Sequence, residues 1–272
     1  MNKVRIWLAP LAAFALAAAA DASVIYNGAT NIAGNTATAQ ATFTIAGNVL
    51  QIELRNTSPL PGTGTYKPGD TLTGLSFKLP GATLMPSSAT SPNALFLPVP
   101  CSVIGACGGA NVDVGGEWGF SSHFPAVGSF GVAAAGYSSM PGNFGNGSPF
   151  PGGPNLDGPV APGGVNFGIV SLLANAGNIN GGLTEPLIRD TANFNLFGAL
   201  GFLESSITDV YFWYGTDPEA SSFGIPEDPG GCDTGGVCEL SVPEPGPLFL
   251  IITGLLGLLT VRVGRRFRNA AV

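Results

Sequence analysis

Glycine and proline divide this chain into short segments more than any other feature does. The 272 residues include 41 glycines and 23 prolines; proline removes a backbone donor, and glycine favours turns over regular elements. Yet hydrophobic residues make up 45% of the chain and charged residues only 10%, whereas disorder goes with few apolar groups and high net charge. We therefore expect a folded body of short strands joined by turns.

Apolar and polar residues alternate in several of these segments, which predicts strands. The predicted strands are Thr42–Ile45 and Val49–Leu54 (a hairpin), Thr71–Leu79, Val165–Leu173, Asn193–Leu200 and Ser206–Tyr214. The Gly- and Pro-rich segment from Gly128 to Gly164 is predicted to be a long surface loop. Phe144 and Phe150 are expected to anchor it to the sandwich, with stacking against sugar rings as the alternative role. Residues 23–240 are thus predicted to form one all-β domain, an antiparallel, jelly-roll-like β-sandwich.

The N-terminus has the three parts of a signal peptide. Lys3 and Arg5 form a positive region, and an apolar run from Ile6 to Ala19 follows. Ala20 and Ala22 then place small side chains at the −3 and −1 positions of a cleavage site before Ser23. Residues 1–22 are therefore predicted to direct export through the Sec machinery, with cleavage after Ala20 as the alternative.

The C-terminus also has three parts. Val242-Pro243-Glu244-Pro245-Gly246 is a carboxylate between two prolines, which keep the backbone extended. An apolar run over residues 247–261 follows; as a helix it would be about 22 Å long, short against a hydrocarbon core of about 30 Å. An ordinary C-terminal membrane anchor and a buried core helix are the alternatives to a helix held briefly by a membrane enzyme. A basic tail over residues 262–272 ends the chain, with arginines at Arg262, Arg265, Arg266 and Arg268. In both terminal apolar runs the positive charges lie on the side away from the body of the protein. Because positive charges stay in the cytoplasm, the residues between the two runs are predicted to be translocated.

The order of these C-terminal parts resembles the PEP-CTERM sorting signal of Gram-negative bacteria, which a membrane-embedded protease of the exosortase type processes. The resemblance covers residues 241–272 and rests on Val242, Pro243, Glu244, Pro245 and the arginines that follow the predicted transmembrane helix. It implies an inner-membrane precursor, then a protein of the cell surface or extracellular matrix, with exopolysaccharide as a partner. Three phrases of the body, Gly115–Phe120, Asn155–Pro159 and Val210–Thr216, resemble a subgroup of such surface proteins that has no established catalytic residues.

The charge of the body bears on its partners. Four basic residues (Arg55, Lys67, Lys78 and Arg189) stand against fifteen carboxylates between Ser23 and Leu240, a formal charge of about −11. This balance argues against nucleic acid and anionic lipid. Divalent cations and neutral polysaccharide remain compatible with it.

Four cysteines occur as two pairs of equal spacing, Cys101 with Cys107 and Cys232 with Cys238. An exported chain enters an oxidising compartment, so we expect disulfides. Three pairings are open; the short, Gly-containing loops favour the two local bridges. A metal site is the weaker alternative, because two-residue spacers are missing and His123 is the one histidine.

No catalytic pattern stands out. His123 lies beside serines without a nucleophile elbow, and we expect it to be a surface or turn residue. Glu117, Glu185 and Glu204 are the candidate carboxylates if the chain is a secreted carbohydrate-active hydrolase. Asn111, Asp113 and Glu117 faintly resemble a calcium loop, as a calcium-dependent glycan-binding module would need, although a plain turn before a strand at Trp118 is favoured. We expect a non-catalytic protein without cofactor or metal.

Overall fold

The computed structural model describes residues 22–32, 34–93, 111–124, 129–134, 148–150, 167–175, 177–179, 183, 186–215 and 221–227. The chain divides into two units, Met1–Pro226 and Glu227–Val272, and every described strand belongs to the first. The strands are β1 Ser23–Ile32, β2 Asn35–Ala46, β3 Val49–Asn56, β4 Leu72–Lys78, β5 Met85–Ser91, β6 Val112–Asp113, β7 Trp118–Ser121, β8 Phe130–Ala134, β9 Ser148–Pro149, β10 Ile169–Val170, β11 Ile188–Arg189, β12 Thr191–Phe197, β13 Thr208–Tyr214 and β14 Ser221–Pro226.

Helices are few in these ranges. Two short 3-10 turns, Pro68–Asp70 and Glu204–Ser206, precede β4 and β13. Over the described ranges, no helix has the length and apolar character needed to cross a membrane. Residues 1–21 of the predicted signal peptide and the apolar segment 247–261 lie outside these ranges.

The strands form one curled, predominantly antiparallel sheet, so the predicted all-β, antiparallel class is confirmed. Their order is β6-β5-β12-β3-β2-β1-β14-β13-β4-β8-β7-β9. We call the strands from β6 to β1 the first wing and those from β13 to β9 the second wing. β14 joins the wings: Tyr26 of β1 pairs with Pro226 at its end, and Tyr211 of β13 pairs with Phe223 nearer its start.

The hairpin of β2 and β3 follows directly from the sequence. Gly47 adopts a φ of 62° in the turn, a conformation that glycine reaches without steric cost. In β3, Leu50, Ile52 and Leu54 are buried while the residues between them point outward. The hairpin is confirmed, and both strands extend beyond the predicted segments.

The inner faces of the two wings form one core. Phe43 of β2 packs against Phe77 of β4 with ring centroids 5.2 Å apart. Trp118 of β7 packs against Phe194 of β12 at 4.8 Å. Each wing buries its inner face against the other wing. The outer face of each wing points away from this shared core.

The prediction of a surface loop over Gly128–Gly164 is wrong for Phe130–Ala134. These residues form β8, which is buried along its whole length between β4 and β7. Gly131 lies under Phe124; a Cβ at this glycine would come within 2.5 Å of that ring. A strand covered on both faces does not alternate between apolar and polar residues, so its pattern is easily taken for a loop. Phe150 is buried as the predicted anchor, whereas Phe144 lies outside the described residues.

The predicted strand Val165–Leu173 is also wrong in extent. Of its described residues, 167–173, Ile169–Val170 form a strand. Ser171 follows it and donates from its hydroxyl to the Ser58 carbonyl oxygen at 2.7 Å. This short β10 pairs in parallel with β11, an exception to the antiparallel pattern.

Candidate functional site

Glu204 is one of the three candidate catalytic acids, and its side chain forms a hydrogen bond with the backbone of β2. Its Oε1 accepts a hydrogen bond from the Ile45 amide at 2.8 Å, and the residue is 9% exposed. Glu117 is buried in the turn before β7. Glu185 lies outside the described residues. The two described acids therefore lie in separate turns, Glu204 before β13 and Glu117 before β7.

The loop with the faint resemblance to a calcium site is a turn. Asp113 Oδ1 accepts a hydrogen bond from the Gly115 amide at 2.8 Å, and the Glu117 amide donates to the Val114 carbonyl oxygen at 3.0 Å. These bonds lead the chain into β7 at Trp118, as the favoured interpretation predicts. Where the structure describes the chain, no three His, Cys, Asp or Glu side chains are grouped as metal ligands.

His123 is an exposed residue in a bend after β7, which confirms its prediction as a surface residue. Its Nδ1 lies 2.9 Å from the Ser122 hydroxyl, and its amide donates to Ser121 Oγ.

The predicted sorting, cleavage and disulfide residues lie almost entirely outside the described residues. Those outside are Ala20, Cys101, Cys107, Cys232, Cys238, Val242, Pro243, Glu244, Pro245, Arg262, Arg265 and Arg266. Ala22 and Ser23 are described; both are exposed, and Ser23 is the first residue of β1.

The most distinctive surface is the outer face of the first wing, where polar side chains from four strands line up in two rows. One row is Thr44, Gln51, Asn195 and Ser88, and the next is Thr42, Glu53, Asn193 and Thr90. We call these eight residues the polar face. The register places them opposite one another across β2, β3, β12 and β5, and side chains in such positions are direct neighbours.

A groove of about 340 Å³ runs across this face. Seven of the eight polar-face residues line it, all except Ser88. Its floor includes Ile52 and Phe194, whose side chains are buried in the core on the opposite side of the sheet. Asn195 Nδ2 donates to Ser88 Oγ at 2.8 Å, which fixes this amide beside the groove.

The polar face is nearly neutral. In the row next to it, Arg55 Nη2 lies 3.2 Å from Asp190 Oδ1, so that this guanidinium is already paired. The carboxylate of Glu53 is the one ionisable group among the eight polar-face residues, and it is exposed. Hydroxyl and amide groups, which both donate and accept hydrogen bonds, therefore dominate the groove.

An apolar row borders the polar face at one end. Val49, Phe197 and Met85 are paired across β3, β12 and β5, one position beyond the row that contains Gln51. Phe197 is 44% exposed and Met85 is 59% exposed. The surface thus changes from apolar to polar across neighbouring rows.

Sequence reasoning predicted the β2–β3 hairpin with alternating faces but did not propose its outer face as a site. The available signal was the run of outward positions on β2, which reads Thr36, Thr38, Gln40, Thr42 and Thr44. The partners on β5 and β12 could not be identified without knowing the strand order.

Comparison with protein-family models, with curated proteins and with solved structures found no match to this chain.

Proposed function

We propose that the chain is an exported, non-catalytic protein of the cell surface or extracellular matrix, delivered by the Sec machinery and sorted by an exosortase-type protease. The observation that carries this proposal is the three-part C-terminal sequence: Pro243-Glu244-Pro245, the apolar run 247–261 and the arginines from Arg262 onward. The precursor would reside in the inner membrane through the apolar helix, and the mature protein would lie beyond it.

Two features of the folded part support export. β1 begins at Ser23, so removal of residues 1–22 would leave every described strand in place. The negative charge of the body favours solubility and disfavours nucleic acid as a partner. We also propose that the curled sheet is the jelly-roll-like sandwich that the sequence predicts for residues 23–240.

A non-catalytic role is supported by the contacts of Glu204. A general acid or base must be free to exchange a proton with substrate, whereas this carboxylate accepts a hydrogen bond from the Ile45 amide. A secreted hydrolase and a calcium-dependent glycan-binding module are the alternatives. In the calcium-binding alternative Asp113 would be a ligand, but its Oδ1 accepts a hydrogen bond from the Gly115 amide within a turn.

The sorting signal is tested by replacing Pro243-Glu244-Pro245 with three alanines. Insertion of the apolar run depends on hydrophobicity and flanking positive charge, so it should persist. Processing should fail, because the extended acidic peptide is gone. Immunoblots of membrane and extracellular fractions should show unprocessed precursor in the inner membrane.

Glu239→Ala is the matched control, since it removes a nearby carboxylate outside the motif and should leave processing unchanged. Efficient processing of the triple-alanine variant would refute the assignment of the tail as a sorting signal.

A further inference from the structure

We propose that the groove across the polar face binds a strand of neutral, hydroxyl-rich polysaccharide. This inference rests on the proposed function for its setting, because such a polymer is met outside the cell. The site consists of Thr42, Thr44, Gln51, Glu53, Thr90, Asn193 and Asn195.

The hydrogen-bonding capacity of the groove matches sugars. Each sugar hydroxyl donates one hydrogen bond and accepts others, so its best partners do both. Threonine hydroxyls and the amides of Gln51, Asn193 and Asn195 have this dual capacity. Among the described contacts, the Gln51 and Asn193 side chains have no hydrogen-bond partner, which leaves their amides available to a ligand.

The charge of the groove excludes other polymers. Nucleic acids and anionic polysaccharides need cations at their binding sites. None of the groove residues is cationic, and Arg55, in the row next to the polar face, is paired with Asp190. The exposed carboxylate of Glu53 would repel both. A lipid or apolar peptide would leave the amides and hydroxyls of the groove unsatisfied, which costs binding energy.

The apolar row offers a second kind of contact. Sugar rings combine polar edges with apolar C–H faces, and aromatic rings beside a polar row can contact both. Phe197, 44% exposed and two residues beyond Asn195, is placed for this contact. The side-chain order Phe197, Asn195, Asn193 along β12 therefore changes from stacking surface to hydrogen-bonding surface.

The dimensions suit a polymer better than a monosaccharide. Neighbouring strands lie about 4.8 Å apart, so four strands give the groove a width of about 14 Å across the sheet. The rows are rigid because their backbones are paired on both sides, and Phe194 and Ile52 fix the sheet from beneath. Preorganised groups of this kind lose little entropy on binding.

The test is affinity electrophoresis of the full chain, purified from the cells that express it, through gels containing dextran, galactomannan or alginate. We expect retardation by at least one of the two neutral polymers and none by alginate. Thr42→Ala, Gln51→Ala and Asn193→Ala should each weaken the apparent affinity about fivefold, the loss expected for one hydrogen bond. The triple variant should lose at least about twentyfold.

Thr36→Ala is the matched control, because Thr36 lies outward on β2 outside the groove; its affinity should stay within about twofold of the unmodified chain. Thermal unfolding of every variant checks that the fold is kept. The proposal would be overturned if neither neutral polymer retarded the chain, or if alginate retarded it more than they do. It would also be overturned if the triple variant were retarded as much as the unmodified chain.

Fractionation of the same cells separates this inference from the proposed function. A chain that is processed and exported but shows no affinity for neutral polymers refutes the groove and leaves the sorting function standing. A chain that binds them but is never exported supports the groove and refutes the sorting function.

Discussion

At the scale of single residues, buried polar side chains fix the loops that frame the first wing. Asn56 Nδ2 donates to the carbonyl oxygens of Asp70 and Ile169 at 3.0 and 2.8 Å, and its Oδ1 accepts from the Ser58 amide at 3.0 Å. The Asp70 carboxylate in turn accepts from Asn35 Nδ2 at 3.1 Å. One asparagine thus saturates three backbone groups that are shielded from water.

Replacement of Asn56 by alanine should lower the free energy of unfolding by about 3 kcal/mol, because two buried carbonyl groups and one amide lose their partner. Chemical denaturation measures this loss. Thr36→Ala, an exposed change on β2, should stay within about 0.5 kcal/mol. Equal stability of the two variants would show that water replaces the asparagine at no cost.

Substitutions of Glu204 distinguish a structural role of its carboxylate from a catalytic role. Glu204→Gln retains a carbonyl oxygen that can accept the Ile45 amide, so we expect a loss below about 1 kcal/mol, whereas Glu204→Ala should cost about 2 kcal/mol. We further expect Glu117→Gln, Glu185→Gln and Glu204→Gln to leave the surface or matrix phenotype intact. A loss of glycosidase activity by several orders of magnitude in any of the three would favour the hydrolase.

At the scale of secondary-structure elements, strands whose sequence alternates between apolar and polar residues could be predicted, and strands without this alternation could not. β3 alternates strictly, so both its existence and its inner face follow from the sequence. β8 is covered by Phe124 on one side and the core on the other, and its Phe-Gly-Val-Ala-Ala sequence carries no alternation. β1 and β5 were not predicted either, because small and polar residues occupy much of both strands.

The candidate site illustrates the same limit. Alternation identifies which side chains of β2 and β3 point outward. It cannot reveal that β12 pairs with β3 on one side and β5 on the other, because those pairings join segments far apart in the chain. The polar face is therefore a property of strand order, which the local sequence does not encode.

The junction between the wings depends on two glycines. Gly28 of β1 and Gly224 of β14 are register partners, and both lie beneath the ring of the fully buried Phe212. A Cβ at Gly28 would lie 2.4 Å from that ring, closer than van der Waals contact permits. Absence of side chains here lets β14 pass from one wing to the other.

Gly28→Ala should therefore destabilise the protein by about 2 kcal/mol through overpacking. Gly62→Ala is the control, since a Cβ there meets no atom within 4 Å, and it should be neutral or slightly stabilising. In a Gly28→Ala chain, Phe212→Leu should be less costly than in the unmodified chain. Strict additivity of the two changes would contradict the predicted contact.

At the scale of the whole molecule, a buried tyrosine hydroxyl links the two wings of the curled sheet. The hydroxyl of Tyr26 in β1 donates a hydrogen bond to the carbonyl oxygen of Ile207. Ile207 lies just before β13, so this bond links the two wings. Burial raises the pKa of Tyr26, with a further contribution from the negative charge of Asp209. Burial also raises the pKa of Tyr66 and, more strongly, of Tyr214.

These shifts make the fold sensitive to alkali. A tyrosine in the unfolded chain releases its proton near pH 10, whereas the folded protein retains the three protons to higher pH. The folded state therefore binds more protons than the unfolded state above about pH 10, and its stability must fall as pH rises through that range. Below the unfolded pKa the contribution is fully present, so neutral and mildly acidic solutions should show no such slope from these groups.

Denaturant unfolding between pH 8 and pH 12 should thus show a constant free energy at first and a steep decline above about pH 10. In Tyr26→Phe the decline should be shallower, although the chain loses the hydrogen bond to Ile207 and starts from a lower stability at pH 8. Absorbance of tyrosinate should rise together with unfolding, because ionisation of the buried hydroxyls requires exposure. Full ionisation of Tyr26, Tyr66 and Tyr214 in a chain that keeps its native circular dichroism would contradict this linkage.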